Sequence, residues 1–309
     1  MQIIRDFSAL LPKYKGAVVA LGNFDGVHLG HRAILQNAVT LAKQYGAPAA
    51  VMTFEPHPRE FFAKDGKKLR ISSFHSKVKN FADMGIELLF LVRFNARFAS
   101  LSPESFVADV LHRDLGAKHI VTGYNFAFGK NRGGNTAFLK AQAEHLDFGF
   151  TACGAVQDAS GVTISSSAIR EFLATGNVKK ASALLGRPYS IDGRVRHGQK
   201  KGRELGFPTA NLSLDKLFAP RYGIYAARFT VEGNPGRNYN GAANLGIRPT
   251  FDLTQPLLEV HGFDMDEQLY GRRIAVELVE FLRDEQRFDN VEALKSQIAK
   301  DCQQARSLL

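Results

Sequence analysis

An apolar run from Ala17 to Leu21 ends in Gly22-Asn23-Phe24-Asp25-Gly26-Val27-His28-Leu29-Gly30-His31, and the helical spacing of Ile34, Leu35, Ala38, Leu41, Ala42 and Tyr45 follows at once. This handover constrains the fold more than any other stretch. A buried strand has to become an amphipathic helix within a few residues, which is the repeating step of a sheet covered by helices. The same junction can hold an anion. A helix N-terminus offers unpaired N–H groups and a positive dipole end, and glycines let the backbone come close. Two imidazoles three residues apart can donate to oxygens that gain charge during phosphoryl or nucleotidyl transfer. A bare H-x-x-H also describes two polar residues decorating a helix start; the flanking glycines, Asp25 and the strand–turn–helix setting favour the anion site. Gly22, Phe24, Asp25 and Gly30 are therefore candidate ligand-binding residues, and His28 and His31 candidate catalytic ones.

Strand-like runs recur at Ala49–Phe54, Leu88–Val92 and His119–Thr122, separated by helical patterns such as His31–Tyr45, Pro103–Leu115 and Ala137–His145. This alternation predicts a parallel sheet covered on both faces, and ligands in such sheets gather at the carboxyl ends of the strands. The histidine segment, Phe54-Glu55-Pro56-His57-Pro58 and Gly123-Tyr124-Asn125-Phe126 all follow strands, so His57 and Asn125 join the candidates. Phe126 and Phe128 offer aromatic faces to a planar ligand, or pack in the core. Downstream, Ser165, Ser166 and Ser167 cap a helix running through Ile169, Phe172 and Leu173 to Gly176, with Arg170 a fixed charge one turn in. This segment fits a phosphate, or is an ordinary serine cap.

The pattern changes near Leu185-Gly186-Arg187-Pro188. Short strand-like segments follow, at Tyr189–Val195, Ile224–Val231, Gly241–Asn244, Leu257–Gly262 and Ile274–Phe281, broken by Gly, Pro and Asn. They predict a small antiparallel barrel or sandwich. A C-terminal helix follows, with Asp289 as N-cap, Glu292 completing a capping box, and a core-facing stripe of Val291, Leu294, Ile298, Cys302 and Ala305. Domains of residues 1–185 and 186–309 are expected. In the second, Gly202-Arg203-Glu204-Leu205-Gly206-Phe207-Pro208-Thr209-Ala210-Asn211 is a glycine-rich turn feeding a strand. Thr209 and Asn211, two apart, share a strand face. Their oxygens suit Mg²⁺ and nucleotide phosphates, or a solvent-facing polar strand. No G-x-x-x-x-G-K-[ST] and no G-x-G occurs, which excludes the common phosphate-loop and dinucleotide fingerprints.

These motifs carry a resemblance. His28-Leu29-Gly30-His31 resembles the H-x-G-H signature of nucleotidyltransferases, and with Phe24-Asp25-Gly26-Val27 in front it resembles the bacterial branch that makes FAD from FMN. Ile164-Ser165-Ser166-Ser167-Ala168-Ile169-Arg170 resembles that branch's I-S-S-S/T-x-I-R. The run Gly202 to Asn211 resembles the G-R-x-L-G-F-P-T-A-N motif of riboflavin kinases. Gly223-Ile224-Tyr225, Asn244-Leu245-Gly246-Ile247-Arg248-Pro249-Thr250-Phe251, Glu259-Val260-His261 and Leu269-Tyr270-Gly271 fit the same family. The resemblance spans nearly the whole chain and is to the bifunctional riboflavin kinase/FMN adenylyltransferase family. Ile224, where valine is common, and His261-Gly262-Phe263-Asp264, in a variable segment, are small departures.

The resemblance implies a nucleotidyltransferase-type, Rossmann-like parallel-sheet domain followed by a small antiparallel β-barrel domain with a C-terminal helix. It implies riboflavin, FMN and FAD as substrates or products, ATP as co-substrate and Mg²⁺ as cofactor. Glu259 is then the base that receives the ribityl proton; Thr209 and Asn211 hold the metal; Gly202, Arg203, Gly206 and Pro208 line the nucleotide; His28, His31 and Arg170 serve adenylyl transfer; and Asn125 touches FMN.

Composition sets outer bounds. The chain has 309 residues and a formal charge of +10, with 45% hydrophobic and 23% charged residues, a globular balance. No apolar run spans a bilayer and no signal peptide is evident. Cys153 and Cys302 fit neither a disulfide framework nor a zinc site, so a cytoplasmic setting is expected, with no membrane or nucleic-acid partner and the oligomeric state left open. Residues 1–185 carry 22 Lys and Arg against 14 Asp and Glu, which suits polyanionic ligands in general. Two rival readings are a single-activity riboflavin kinase and a nucleic-acid-binding protein whose barrel acts like an OB-fold. The second draws on Arg194, Arg196, His197, Lys200, Lys201 and Arg203, but leaves the glycine-rich run unexplained.

Overall fold

The structure is a computed structural model that describes every residue except 8, 9, 64, 65, 67, 198–200, 235, 251, 252 and 266; the side chains of 201, 203, 248–250, 253 and 254 are also outside the description. Lys200, Phe251 and the side chain of Arg203, singled out above, thus lie outside the described residues. The chain divides into two compact units, residues 1–67 with 74–164, and residues 68–73 with 165–309.

In the first unit, β1 (Gln2–Ile4), β2 (Val18–Leu21), β3 (Ala49–Glu55), β4 (Leu88–Arg93), β5 (His119–Gly123) and β6 (Gly149–Cys153) form a wholly parallel sheet in the order β1-β4-β3-β2-β5-β6. Strand alternation feeds two cores. Val19, Leu21, Met52, Phe90 and Ile120 pack with Phe106, Val110, Leu111 and Leu139 on one face. Val18, Ala20, Val51, Leu89 and Val121 pack with Leu35, Ala38, Val39 and Phe81 on the other. Burial on both faces is why the central strands read as unbroken apolar runs. β1 and β6 carry no such run: each lies at a sheet edge, and β6 has no fully buried residue. The helix expected over Pro103–Leu115 is a short α-helical turn, Pro103–Ser105, capped by Ser102, that continues as a π-helix over Phe106–Asp114.

β2 is where the strand order reverses. The chain runs from β2 to β3 and β4 on one side, then returns to β5 on the other. The carboxyl ends of β2 and β5 therefore flank the crevice in which such sheets bind ligands.

In the second unit, β7 (Ser190–Arg194), β8 (Ala210–Ser213), β9 (Gly223–Val231), β10 (Asn238–Thr250), β11 (Leu253–Gly262) and β12 (Arg273–Arg283) pair antiparallel in the order β7-β12-β9-β10-β11-β8. Just beyond β7, Arg196 N donates to Asn211 O of β8 at 2.9 Å, so the sheet almost closes into a barrel. Leu212, Leu245 and Leu258 stand side by side across β8, β10 and β11, fully buried in its interior. The helix Val291–Leu308 covers an outer face, where Ala305 packs on Ala226, Ala242 and Phe263. Its N-cap is Asn290, whose side chain accepts from Ala293 N at 2.8 Å, rather than Asp289. Val291 of the expected stripe is exposed, so the helix packs through its C-terminal half. Helices Ser166–Ala174 and Val178–Leu185 belong to this unit. Among the described residues, no helix is long and apolar enough to cross a membrane.

Candidate active sites

The turn after β2 is held in an uncommon backbone shape. Phe24, Gly26 and Val27 have φ values of +50°, +79° and +42°. Left-handed backbone is normal for glycine but costly for a β-branched residue. Val27 is held there by full burial, and strain of this kind gathers at ligand sites. His28 ends the turn as N-cap of the helix Leu29–Tyr45, its Nδ1 accepting from His31 N at 3.3 Å. In neutral His28 that acceptor role puts the ring proton on Nε2. The His28 and His31 rings stack with centroids 3.6 Å apart, and Phe24 meets His31 edge-on at 5.3 Å. Gly30 makes this possible: a Cβ there would lie 3.1 Å from His28 Cε1 and 3.4 Å from the Ile164 carbonyl.

Burial, with His28 and Lys77 beside it, holds the His31 imidazole well below its usual range, so the ring is neutral near pH 7. Its Nδ1 is buried and takes no hydrogen bond among the described residues. Lys77, on the helix Phe74–Asp83, is itself buried and pairs with Glu55 of β3 at 3.4 Å. Neither Lys77 nor Glu55 stood out in the sequence; the only signal was a lysine inside an amphipathic helix, which normally reads as a surface residue.

The three segments expected to converge leave neighbouring strands. Gly22 N donates to Met52 O at 3.2 Å, and Thr53 Oγ1 to Asn23 O at 3.0 Å, tying the ends of β2 and β3 together. His57 caps the short helix Pro58–Phe62, its Nδ1 accepting from Arg59 N at 3.1 Å. Gly123 ends β5 against Ile34 of the helix that His28 caps, and Asn125 is exposed beside it. Asp25 is buried. Phe128 packs in the core with Phe106 and Phe138, and stacks on half-buried Phe126 at 5.6 Å.

In the second unit, Ser165 caps Ser166–Ala174 by accepting from Ala168 N at 3.2 Å; Ser166 is half-buried and Ser167 exposed. Arg170 is buried and spends two donors on backbone, Nε on Leu69 O at 2.6 Å and Nη1 on Ser166 O at 3.2 Å.

The glycine-rich run forms a closed turn. Phe207 N donates to Gly202 O at 2.7 Å, and a Cβ on Gly202 would meet the Phe207 carbonyl at 2.5 Å. Gly206 has φ +88°. His261 Nδ1 bonds Pro208 O at 2.9 Å; a carbonyl only accepts, so the ring nitrogen donates. Thr209 stands one residue before β8, and Asn211 Nδ2 donates back to its carbonyl at 3.3 Å. Asn211 is 5% exposed, and its Oδ1 takes no hydrogen bond among the described residues. Register places Glu259 of β11 directly opposite Asn211, so their side chains share one face, the reverse of the interior leucine rung. Residues far apart in sequence thus stand side by side as a row of oxygen acceptors. Among the described residues no group of three or more His, Cys, Asp or Glu stands ready to hold a metal. Mg²⁺ on nucleotide phosphates needs only one or two protein oxygens of this hard kind, which Asn211 Oδ1 and Thr209 can supply.

A family model described as FAD synthetase matches residues 11–168, and one described as riboflavin kinase matches residues 185–309. The bifunctional riboflavin kinase/FMN adenylyltransferase of Escherichia coli (strain K12) is 41% identical over 93% of this chain and 91% of its own; that of Bacillus subtilis (strain 168) is 40% identical over 94% and 91%. A crystal structure described as the macrolide-efflux protein of Streptococcus pneumoniae superposes with a TM-score of 0.84 at 32% identity, over 99% of this chain and 98% of that one. By family models and by relatives matched almost end to end, the chain belongs to the bifunctional riboflavin kinase/FMN adenylyltransferase family.

Proposed function

We propose that the two reactions of this family, riboflavin + ATP → FMN + ADP and FMN + ATP → FAD + pyrophosphate, are carried by residues 186–309 and 1–185 respectively. The observation that bears most weight is the register pair of Glu259 with Asn211, whose buried Oδ1 takes no hydrogen bond among the described residues. In the kinase, Glu259 orients the terminal ribityl hydroxyl and takes its proton as the oxygen bonds to the γ-phosphorus and ADP leaves. Asn211 and Thr209 would hold Mg²⁺, which neutralises phosphate charge when bound. The turn Gly202–Pro208, including Arg203, cradles the nucleotide, and positioning supplies most of the catalysis in such transfers.

In adenylyl transfer the phosphate of FMN attacks the α-phosphorus and pyrophosphate leaves. The attacking oxygen is already ionised, so no protein nucleophile is needed. His28 donates from Nε2, and neutral His31 donates a hydrogen bond rather than a charge to the oxygens that grow more negative. Gly22, Phe24, Asp25 and Gly30 shape this turn around ATP. His57 and Asn125 meet phosphate or the ribityl chain, and Ser165, Ser166, Ser167 and Arg170 serve the triphosphate. Both cysteines are free, which suits a reducing compartment, and we place the chain in the cytoplasm.

The test is chromatographic separation of flavins. Glu259→Ala or Asn211→Ala abolishes FMN formation but still converts supplied FMN to FAD. His28→Ala does the reverse, slowing adenylylation about 10²–10³-fold. Loss of both activities together in either variant would overturn the two-site assignment.

A further inference from the structure

The acceptor rung of the kinase unit has a third member. Asn244 of β10 is paired in register with Glu259 of β11, which is paired with Asn211 of β8. Directly opposed residues of antiparallel strands share a face, so the three side chains stand in a row with Glu259 in the middle. Like Asn211 Oδ1, Asn244 Oδ1 is buried and takes no hydrogen bond among the described residues. Its amide is oriented from the other side. Glu285, on the segment between β12 and the C-terminal helix, receives a hydrogen bond from Asn244, and because an amide oxygen cannot donate, the donor is Nδ2. The Glu285 carboxylate lies against Gly246, where any side chain would collide with it. Burial, and the nearby charge of Glu259, push the Glu285 carboxyl above its usual range, while the bond from Asn244 lowers it.

A buried acceptor without a donor is rare and calls for a ligand donor. Asn211 lies on the side of Glu259 next to Thr209 and the glycine-rich turn, the side read above as the phosphate side. Asn244 lies on the other side. A polyol whose terminal hydroxyl sits at Glu259 and whose phosphate acceptor lies towards Asn211 must run its remaining hydroxyls past Asn244. We propose that Asn244, held by Glu285, accepts a hydrogen bond from the ribityl hydroxyl next to the reacting one and so reads the polyol chain of the flavin; this rests on the kinase-site reading above. Glu285 is a positioning residue, since it acts through the Asn244 amide.

The test compares riboflavin with 4′-deoxyriboflavin, which keeps the terminal hydroxyl and lacks its neighbour. The expected wild-type preference in kcat/KM is about 10- to 100-fold, the scale of one buried unpaired polar group. Asn244→Ala lowers riboflavin turnover by that factor and leaves the deoxy flavin within about twofold, so the preference collapses. Retained turnover of the deoxy flavin reports that the kinase unit is folded. Glu285→Ala reduces the same preference several-fold. An unchanged preference in both variants, or equal loss on both flavins, overturns the proposal. So does an unchanged preference with a raised Mg²⁺ requirement, which would assign Asn244 to the cation. Glu259→Gln separates the two levels: if it still phosphorylates riboflavin the kinase-site reading itself fails, and if it is inactive while Asn244→Ala keeps the wild-type preference, only this inference fails.

Discussion

At the scale of single residues, the histidine site depends on a charge the sequence does not advertise. His31 is kept neutral first by burial and then by His28 and Lys77. Its folded pKa lies below its unfolded one, so the unfolded chain takes up a proton at a pH where the folded chain does not. The associated stability is fully present above about pH 6.5 and is lost as the pH falls through the folded value, by at most about 1.4 kcal/mol per pH unit. Lys77→Met removes one of the depressing charges and breaks the ion pair with Glu55. A ring NMR titration is expected to show His31 titrating at higher pH, and thermal unfolding at pH 8 and pH 5.5 to show a smaller difference than in the wild type. The variant also loses on the order of 1–3 kcal/mol of stability from the broken, partly buried pair. An unmoved His31 titration would remove Lys77 from the account. The histidines themselves were legible because a motif puts them next to each other. Lys77 was not, because its partners arrive from another strand and another helix.

At the scale of elements, the C-terminal helix Val291–Leu308 shows which local signals decide an outcome. The capping-box spacing points to Asp289, one residue of register away from Asn290. The structure uses Asn290. Asn290→Ala is expected to cost about 1 kcal/mol, read by chemical denaturation. Asp301, near the other end of the helix, holds Arg283 of β12 through two bonds of 2.8 and 2.6 Å and accepts from Gln297 at 2.9 Å, with both charged side chains largely buried. Asp301→Ala leaves a buried guanidinium unpaired and is expected to cost more, about 3–5 kcal/mol. Equal losses in the two variants would mean that the Arg283 fork does not anchor the helix. Central strands such as β2 and β3 were legible because burial on both faces writes a continuous apolar run. β1, β6 and the outer parts of the β10–β11 hairpin were not, because an edge or a half-wet strand needs no such run. The kinase rung was hidden for another reason: Asn211, Asn244 and Glu259 become neighbours only through strand register, which no local pattern records.

At the scale of the whole molecule, the two proposed reactions share an intermediate but no catalytic residue. Under the proposed assignment, FMN is the product of the Glu259 site and the substrate of the His28 site. The kinase releases it as a dianion-bearing small molecule, and the basic balance of residues 1–185 suits its capture from solution. It follows that the activities should complement in trans. A Glu259→Gln chain alone makes no FAD from riboflavin, and a His28→Ala chain alone accumulates FMN. An equimolar mixture is expected to make FAD after a lag in which free FMN builds up, the lag shortening as the Glu259→Gln chain is raised in excess. If each variant keeps its remaining reaction on supplied substrate yet the mixture yields no FAD, FMN does not pass through solution, and the two sites would have to be read as one obligate path within a single chain.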